Sequence, residues 1–518
     1  MDIVGTKSRV RNTLTNTVTG LAMKLVTLIA NFVIRTVFIR YLGMEYTGVS
    51  AVFTDILTIL SFSELGIGSA ITFALYKPMA NQDYRQIARL MHLYKTAYRM
   101  IAAVIFLGGL ALVPFLDRII ADAPSVKEDL KIIFLLYVVN TAVSYLLVYK
   151  STLFTANQQA YILSFLNIGM VIVRTVVQLL VIICFGRFLL YLILTIFFTM
   201  LQNIMISLKA DSQFREIRQH NKERLTPEER RHVFRDSKAS ALYKISGTVL
   251  TGTDSVVISA FLGTGIVGMA TNYTMIINGI YALSLPFLNS VTASIGNLAA
   301  SKDSERQYEL FRMMNFVCEW FFCLSTVCLF VLLDEFIGSV WFDEHLLIGF
   351  WALLFLCLDF FIKGNTTIVS SFRSANGLFV QGQYRPLIMA VLNIAVSVIA
   401  VKAIGLPGVY FGTVLSRAAT QLWYDPLILY KHVFKRTAKS YFCEYAVWGI
   451  LLVSASVISK WINSILVLSV PLLSFLVHAL VCVAVVCLFT VIVFGKSNTF
   501  HNCISYLCGV VKKTAKRQ

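Results

Sequence analysis

The stretch TLTNTVTGLAMKLVTLIANFVIRTV, residues 13–37, decides the fold class of this chain. It is long and apolar enough to cross the roughly 30 Å hydrocarbon core of a bilayer as one helix. Comparable apolar stretches recur along all 518 residues, of which 57% are hydrophobic and 14% are charged. Soluble domains carry roughly 25% charged residues. The sequence therefore predicts an all-α, multi-pass integral membrane protein, excludes a disordered chain and disfavours a soluble enzyme.

The sequence predicts fourteen spans with both termini in the cytoplasm. Lys and Arg lie mostly in the two termini and in the even-numbered connections, and the positive-inside rule assigns those segments to the cytoplasm. The membrane also accounts for the formal net charge of +18, so nucleic acid is not an expected partner. The predicted spans are 13–37, 46–75, 97–117, 130–152, 160–185, 188–209, 239–262, 268–296, 312–333, 346–370, 384–404, 407–430, 444–462 and 466–494.

An internal repeat groups these spans as six, six and two. With an offset of 220 residues, the segment YLG at 41–43 matches FLG at 261–263, and Gly48 matches Gly268. Each repeat has an even number of spans, which predicts two pseudo-symmetric lobes of equal orientation that move substrate by alternating access. The predicted domains are an N-lobe (1–210), a cytoplasmic linker (211–238), a C-lobe (239–430), spans 13 and 14 (431–495) and a basic amphipathic cytoplasmic tail (496–518).

Positive side chains inside the spans are the predicted substrate contacts. A Lys or Arg near the bilayer centre costs roughly 2.5–3.5 kcal/mol, so it normally faces a hydrated cavity or a partner. Lys24, Asn31 and Arg35 lie on one polar stripe of span 1. The same pattern recurs in span 7 with Lys244, Thr251 and Asp254. We expect both stripes to line one cationic cavity; the alternative is that the cations extend to the nearer membrane interface.

Three further intramembrane charges have open roles. Arg174 in span 5 and Arg417 in span 12 are equally consistent with cavity lining and with ion pairs to Asp254 or Asp359. Glu64 in span 2 is a candidate partner for a cavity cation and a candidate coupling residue. It is also a candidate for an ion pair that only fixes helix packing.

The sequence contains no recognisable catalytic or metal-binding motif. The ten Cys residues are scattered and no Cys-x-x-Cys pair occurs, so neither a disulfide framework nor a zinc site is expected. No nucleophile–base pattern and no external connection long enough for a catalytic domain is present. We therefore expect a transporter without a cofactor, and leave open whether H⁺, Na⁺ or the membrane potential drives it.

The chain resembles the polysaccharide transporter (Wzx-type) flippases of the multidrug/oligosaccharidyl-lipid/polysaccharide (MOP) exporter superfamily. The resemblance rests on RYLGMEYTG at 40–48, ELGIGSAI at 64–71 with LYKP at 75–78, and GLPGVYFGT at 405–413. It extends over roughly residues 8–495 and implies the two-lobed, MATE-like fold of that superfamily, with two extra C-terminal helices.

The resemblance also implies a function. Members of the family move undecaprenyl-pyrophosphate-linked oligosaccharide repeat units from the inner to the outer leaflet of the bacterial inner membrane, for capsule, O-antigen or exopolysaccharide synthesis. By likeness to the related lipid II flippases, Lys24 and Lys244 match cationic residues on the first helices of the two lobes. The expected partners are this lipid-linked substrate, membrane lipid, and the polymerase and glycosyltransferases of the pathway, with the chain itself a monomer.

Two other functions are weighed against the flippase. A cation- or proton-coupled multidrug exporter of the same superfamily predicts an acidic, aromatic-lined cavity instead of a basic one. A polysaccharide polymerase or lipid-linked glycosyltransferase requires long external loops with catalytic carboxylates. The basic stripes and the short external connections favour the flippase.

Overall fold

All regular secondary structure in the described part of the chain is helical. The structure, a computed structural model, describes residues 3–64, 67–120, 124–220, 223–235, 252–301, 303–378, 381–466, 468–503 and 505. Within these ranges, eleven helices are long and apolar enough to cross a membrane. The all-α, multi-pass membrane class is therefore confirmed, whereas the total of fourteen spans and the cytoplasmic termini stay predictions.

The helix bounds follow several of the predicted spans closely, whereas the helices that begin at Ile3 and Tyr84 start well before the spans predicted at 13–37 and 97–117. The helices are α1 (Ile3–Leu42), α2 (Met44–Leu60), α3 (Ile67–Ala80), α4 (Tyr84–Leu112), α5 (Leu116–Ile119), α6 (Leu130–Val148), α7 (Ser151–Ala156), α8 (Ala160–Phe185), α9 (Phe188–Gln213), α10 (Arg215–Gln219), α11 (Pro227–Arg235), α12 (Asp254–Leu262), α13 (Thr264–Ser301), α14 (Ser304–Glu335), α15 (Phe350–Ala375), α16 (Arg385–Ile404), α17 (Leu406–Leu429), α18 (Lys439–Ile465) and α19 (Pro471–Phe494). The predicted second span, 46–75, differs, because α2 ends at Leu60 and a 3₁₀ turn covers Ser61–Glu64 before α3.

The chain folds as two compact units, Met1–Thr271 and Asn272–Gln518. Aromatic side chains fill the core of each unit, because they contribute large apolar areas for burial. The fully buried ones in the first unit include Phe53, Phe134, Phe154 and Phe188. Those in the second unit include Phe311, Phe322, Phe360, Phe372, Tyr441 and Trp448. The predicted lobe boundaries at 210 and 239 stay a prediction.

The internal repeat is visible in the backbone. Gly43 and Gly263, which match at the offset of 220 residues, adopt the same unusual conformation, with φ of +99° and +90°. L side chains rarely adopt such positive φ values, so both positions favour glycine. Gly48 and Gly268 are also matched: a Cβ on Gly48 would collide with the backbone of Thr264, and one on Gly268 would collide with Met44. Both repeats therefore use glycine for the same turn and for a close helix approach.

The repeat also appears at the start of the long helices α4 and α14. The Asp83 carboxylate accepts a hydrogen bond of 2.9 Å from the backbone N–H of Gln86, and caps α4. The Asp303 carboxylate accepts one of 3.1 Å from Arg306 N–H, and caps α14. An aspartate at this position satisfies an N–H group that has no partner within the helix.

The predicted cytoplasmic linker contains a capped helix. The sequence Thr226-Pro227-Glu228-Glu229 is typical of a helix start, and α11 begins at Pro227. Thr226 N–H donates to Glu229 Oε2 at 2.8 Å, and Glu229 N–H donates to Thr226 Oγ1 at 3.3 Å. These two bonds form a reciprocal capping box, and the bond from Thr226 N–H lowers the pKa of Glu229.

An ion-pair cluster links the linker to the start of α4. Glu223 accepts hydrogen bonds from Arg85 Nε at 2.5 Å and from Arg89 Nε at 3.0 Å. The bond from Arg85 is the larger influence and, with Arg89, lowers the pKa of Glu223. The linker is therefore held to the first unit by charge pairs at the surface.

The start of the C-terminal tail packs against the second unit. Residues 498–503 are helical, and the ring of Phe500 lies 6.1 Å from that of Phe316 in α14. Cys503 is buried, and its thiol lies 3.7 Å from the carbonyl oxygen of Met313. Most of the predicted amphipathic tail, residues 506–518, lies outside the described residues.

Candidate functional site

The side chains of the polar stripe of α1 are partly exposed at the surface of the protein. Lys24 and Arg35 are both partly exposed, and Asn31 between them is exposed. The two cations are about 16 Å apart along the helix axis. The exposed apolar face of α1 contains Val18 (65% exposed) and Ile29 (64% exposed), and it lies about 120° around the helix from Lys24. Lys24 is thus placed away from the apolar surface that suits acyl chains.

The structure brings together Arg35 of α1 and Arg174 of α8. Both lie close enough to Tyr191 of α9 to interact electrostatically with its hydroxyl group. Arg35 also interacts with Tyr137 of α6. Among the described residues, neither arginine forms an ion pair with a carboxylate. Two cations around one neutral phenol create a positive local field, which suits an anionic ligand.

A line of hydrogen bonds fixes α8 against α9 on either side of Arg174. Gln202 Nε2 donates to Asn167 Oδ1 at 2.8 Å, and Gln178 Nε2 donates to Thr195 Oγ1 at 2.8 Å. At steps of seven and four residues, Asn167, Arg174 and Gln178 lie on one face of α8, and this face packs on α9. Arg174 Nε is buried and has no hydrogen-bond partner, which leaves a donor available.

Glu64 is held by tyrosine hydroxyls. Tyr98 donates to Oε1 at 2.6 Å, and Tyr145 donates to Oε2 at 2.8 Å. The hydroxyl of Tyr94 in turn donates to that of Tyr98 at 3.1 Å. No Lys or Arg in the described residues pairs with Glu64. The sequence suggested a cation as its partner, whereas the structure shows two tyrosine hydroxyls.

Glu64 lies at the edge of a polar cavity inside the first unit. The cavity has a volume of about 370 Å³ and is lined by Thr54, Leu57, Thr58, Ser61, Glu64, Tyr137, Asn140, Thr141, Ser144 and Tyr145. Asn140 Oδ1 is buried there without a hydrogen-bond partner. Tyr137 lines the cavity and also interacts with Arg35. The cavity is therefore roomy and polar enough for water.

Arg417 forms an ion pair in the second unit. Its Nε lies 2.6 Å from Asp359 Oδ1, and its Nη1 donates to Gln421 at 3.1 Å. Only 7% of the Arg417 side chain is exposed. Of the two alternatives open from the sequence, the structure therefore shows the ion pair with Asp359.

Lys363 is an intramembrane cation that the sequence reasoning missed. It lies one turn after Asp359 on α15, interacts with Asp359 and Arg417, and places its Nζ 4.4 Å from the centre of the Tyr281 ring. A lysine in the middle of an apolar span was signal enough to find it. The cluster of Asp359, Lys363 and Arg417 carries one excess positive charge.

A second buried ion cluster in this unit was also missed. Asp425 of α17 is fully buried and pairs with Arg373, and with Arg385 Nε at 3.1 Å. Arg373 Nη2 additionally donates to the carbonyl oxygen of Leu378 at 3.1 Å. Asp425 inside an apolar span was a visible signal, but its partners lie at the ends of two other helices and have no sequence pattern in common.

Part of the predicted span 7 stripe cannot be placed. Lys244 and Thr251 lie outside the described residues. Asp254 is the first residue of α12 and is half-buried. Nearby, α12 packs on α2, and Ser255 donates a hydrogen bond to Asp55. The predicted meeting of Lys24 with Lys244 therefore stays a prediction.

The described residues offer no metal centre. In that part of the chain, no group of three or more His, Cys, Asp or Glu side chains is arranged to hold a metal ion. The site in the first unit instead combines cations, tyrosine hydroxyls and a shielded carboxylate. Such a set of groups is suited to binding and moving a charged molecule.

Comparison with known proteins gives one sequence family and several related structures. Residues 13–291 match the family described as polysaccharide biosynthesis protein. No protein of curated function matches the sequence. The structure of lipid II flippase MurJ in an inward closed conformation is similar, with 15% identity and a TM-score of 0.66 over 93% of this chain and 99% of that chain.

Multidrug transporters are similar in fold as well. An inward-facing multidrug resistance MATE family transporter of the MOP superfamily has 13% identity and a TM-score of 0.61, covering 79% of this chain and 97% of that one. A mutant of the Vibrio cholerae MATE transporter VcmN has 15% identity and a TM-score of 0.59, covering 84% and 100%. At these identities the likeness shows the fold alone, which this chain shares with those membrane transporters.

Proposed function

Because the chain belongs to the family of polysaccharide biosynthesis proteins, we propose that it is a flippase for undecaprenyl-pyrophosphate-linked oligosaccharide repeat units. It moves them by alternating access from the inner to the outer leaflet of the bacterial inner membrane, for capsule, O-antigen or exopolysaccharide synthesis. The family match over residues 13–291 is the observation that carries this proposal. The fold shared with a protein named as a lipid II flippase supports it.

The charges of the first unit suit this substrate. A pyrophosphate cannot enter hydrocarbon without compensating charge, because an isolated ion is very costly to desolvate. Lys24, Arg35 and Arg174 lie within membrane-crossing helices and have no carboxylate partner among the described residues. They can supply that charge while the sugars stay in water and the polyprenyl chain stays in lipid.

Lys24, Arg35 and Arg174 would contact the pyrophosphate in different ways. Arg35 and Arg174 present planar forks that match phosphate oxygens, whereas Lys24 acts as a point charge farther along α1. Lys244 supplies the corresponding charge of the second repeat, and Asn31 and Thr251 offer hydrogen bonds to the sugars. Arg417 is occupied by Asp359 and contributes only through the excess charge of its cluster.

The driving force is a separate question. An inside-negative membrane potential favours outward movement of negative charge by about 2.3 kcal/mol per charge per 100 mV. Coupling to H⁺ or Na⁺ would require an acidic group in contact with water, and Glu64 at its polar cavity is the candidate in the first unit. Asp254 at the start of α12 is a second candidate.

A multidrug exporter of the same superfamily is the alternative function. It is favoured by the similarity in fold to MATE transporters and by the cavity that combines Glu64 with tyrosine rings. Such a cavity suits a cationic drug through its carboxylate and aromatic faces. The unpaired cations of α1 and α8 oppose this alternative, because they repel a cationic substrate.

The test replaces single cations in the chromosomal gene. We expect Lys24→Ala and Lys244→Ala to abolish the surface polysaccharide while the amount of protein in the membrane stays normal. Lys131→Ala is the matched control, because Lys131 lies at a helix start and forms only a loose, exposed pair of 3.9 Å with Asp117. The measurement is surface polymer by immunoblot, with the membrane protein quantified in parallel.

Two results would contradict the proposal. Normal surface polymer in both Lys24→Ala and Lys244→Ala would remove the cationic-cavity mechanism. A deletion strain with normal polymer and increased sensitivity to cationic drugs would favour the multidrug exporter.

A further inference from the structure

Glu319 is a carboxylic acid buried in the interior of the second unit. It lies near the middle of α14, within the membrane-crossing segment Ser304–Trp341, and 1% of it is exposed. It belongs to neither the cationic site nor the cavity of the first unit, and the proposed flippase mechanism does not use it.

No positive side chain neutralises Glu319. In the described part of the chain it forms no ion pair, and the nearest arginine on its helix face, Arg312, pairs instead with Glu444 at 3.2 Å. An unpaired carboxylate is strongly disfavoured in such an environment, because burial removes its hydration without supplying a counter-charge. A bound proton is the simplest way to remove the charge.

The polar atoms around Glu319 are not saturated. Asn315 and Trp448 interact with its carboxyl group, and the hydroxyls of Tyr441 and Tyr445 lie within electrostatic range of it. Glu319 Oε1, Asn315 Oδ1 and both tyrosine hydroxyl oxygens are buried without a hydrogen-bond partner. The group contains donors and acceptors together, and buried atoms of this kind normally bind ordered water.

We propose that Glu319, Asn315, Tyr441, Tyr445 and Trp448 form a hydrated proton-binding site between α14 and α18. The proton comes from water and binds one carboxylate oxygen of Glu319, which becomes a neutral acid. The protonated oxygen then donates a hydrogen bond, the other oxygen accepts one, and bound water satisfies the remaining groups. Sodium fits less well, because the indole N–H of Trp448 would point at the cation.

A polar route leads to this site from one end of α14. Arg312, Asn315 and Glu319 follow one another at spacings of three and four residues, so they lie on one face of the helix. The side chains of Arg312 and Glu444 at the start of this row are 41% and 39% exposed. The charge distribution predicts that this end of α14 faces the cytoplasm, so the proton would enter from there.

Aromatic rings pack beside the site, toward the same end of α14 as Arg312. The indole ring of Trp448 stacks on Phe494 with centroids 4.6 Å apart, and Phe316 packs on both rings. The titratable or charged side chains that face the Glu319 carboxyl come from α14 and α18 and are Cys318, Cys323, Glu444, Tyr441 and Tyr445. None of these supplies a positive charge.

Infrared spectroscopy of the full chain in lipid nanodiscs tests the proposal without any transport assay. A protonated buried carboxyl has a C=O stretching band that ionised carboxylates lack. We expect the wild-type protein to show this band at pH 7 and Glu319→Gln to lack it. The matched control is Glu305→Gln on the same helix, which removes an exposed, ionised acid and should leave the band unchanged.

Two further variants keep the test decisive. Glu319→Asp retains an acid and should move the band instead of deleting it, which covers the case in which the Gln variant does not fold. Tyr445→Phe should shift the band, because one hydroxyl of the hydrated cluster is lost. The absence of a Glu319-dependent band at pH 7 would overturn the proton site, and an unchanged band in Tyr445→Phe would overturn the hydrated cluster.

Discussion

The two units treat their intramembrane arginines in opposite ways. In the first unit, Arg35 and Arg174 share a neutral tyrosine and have no acidic partner among the described residues. In the second unit, Arg417 pairs with Asp359, and Asp425 lies between two arginines. Unpaired charge is costly in a protein interior and persists where a ligand or water compensates it, whereas paired charge mainly fixes helix packing. The comparison therefore separates the arginines that we propose as substrate contacts from the arginines that form ion pairs within the fold.

Asp425 gives the largest expected effect. Asp425→Ala leaves two buried guanidinium groups without their acid, so we expect the free energy of unfolding to fall by about 3–5 kcal/mol. The measurement is unfolding of the purified protein in detergent micelles. Glu305→Ala, which breaks the exposed pair with Arg436, is the control and should change stability little. Equal stability of both variants would mean that the buried cluster is not structural.

Replacing Tyr98 gives the second largest expected effect. The hydroxyl of Tyr98 stabilises the Glu64 carboxylate, which has no cationic partner among the described residues. Tyr98→Phe removes the 2.6 Å hydrogen bond to Glu64 and should cost about 1.5–3 kcal/mol of folding free energy. Tyr76→Phe, at a position that is 47% exposed, is the matched control. The same unfolding measurement applies, and a Tyr98→Phe protein as stable as the control would show that Glu64 does not depend on this hydroxyl.

Arg35 and Arg417 test the comparison directly. Arg35→Gln should lower transport of a polyprenyl-diphosphate oligosaccharide in vesicles by about tenfold or more, equal to about 1.4 kcal/mol, with stability almost unchanged. Arg417→Gln should instead destabilise the protein, because Asp359 is left without its partner. If Arg35→Gln proved as destabilising as Arg417→Gln, the division between substrate cations and structural cations would fail.

The smallest expected effect is the pH dependence of the contact between Glu223 of the linker and the arginines of α4. Arg85 and Arg89 lower the pKa of Glu223 below the ordinary value of about 4.3. The contact is therefore complete above that ordinary value, and its stabilisation is lost as the pH falls through the lower pKa of the folded protein. Spin labels on α4 and α11 should report a fixed distance at pH 7 and a broader distribution in strong acid.

Glu223→Gln is the control for this last prediction. It should show the broad distribution already at pH 7, because the ionised acid is missing. A narrow distribution in the variant would mean that the capping box and packing hold α11 without Glu223.

Much of the fold was predictable because membrane insertion depends on local sequence. The span predicted at 160–185 is α8, with the same bounds, since an apolar run of that length has one stable structure in a bilayer. The repeat matched the glycines at 43 and 263, and the structure added their positive φ values. The 3₁₀ turn at Ser61–Glu64 was not predicted, because the apolar residues on both sides of the short polar segment SFSE indicate one continuous span.

The candidate site was predictable only in part. Charges inside apolar spans drew attention to Arg35, Arg174 and Glu64, and the structure places the two arginines around Tyr191. Tyr191 itself has no distinguishing pattern in the sequence. Lys363 was detectable by the same rule as the others and was overlooked.

The sequence by itself determined that this chain crosses a membrane repeatedly, because recurring apolar stretches of sufficient length have few other stable structures. Its motifs also carried the resemblance that the match to the polysaccharide biosynthesis family confirms. Only the tertiary structure decided which charges are neutralised. Asp359 and Arg417 are 58 residues apart, and Asp425 and Arg373 are 52 apart. Whether such residues meet depends on how whole helices pack and rotate against one another, and helical periodicity within one segment does not specify that.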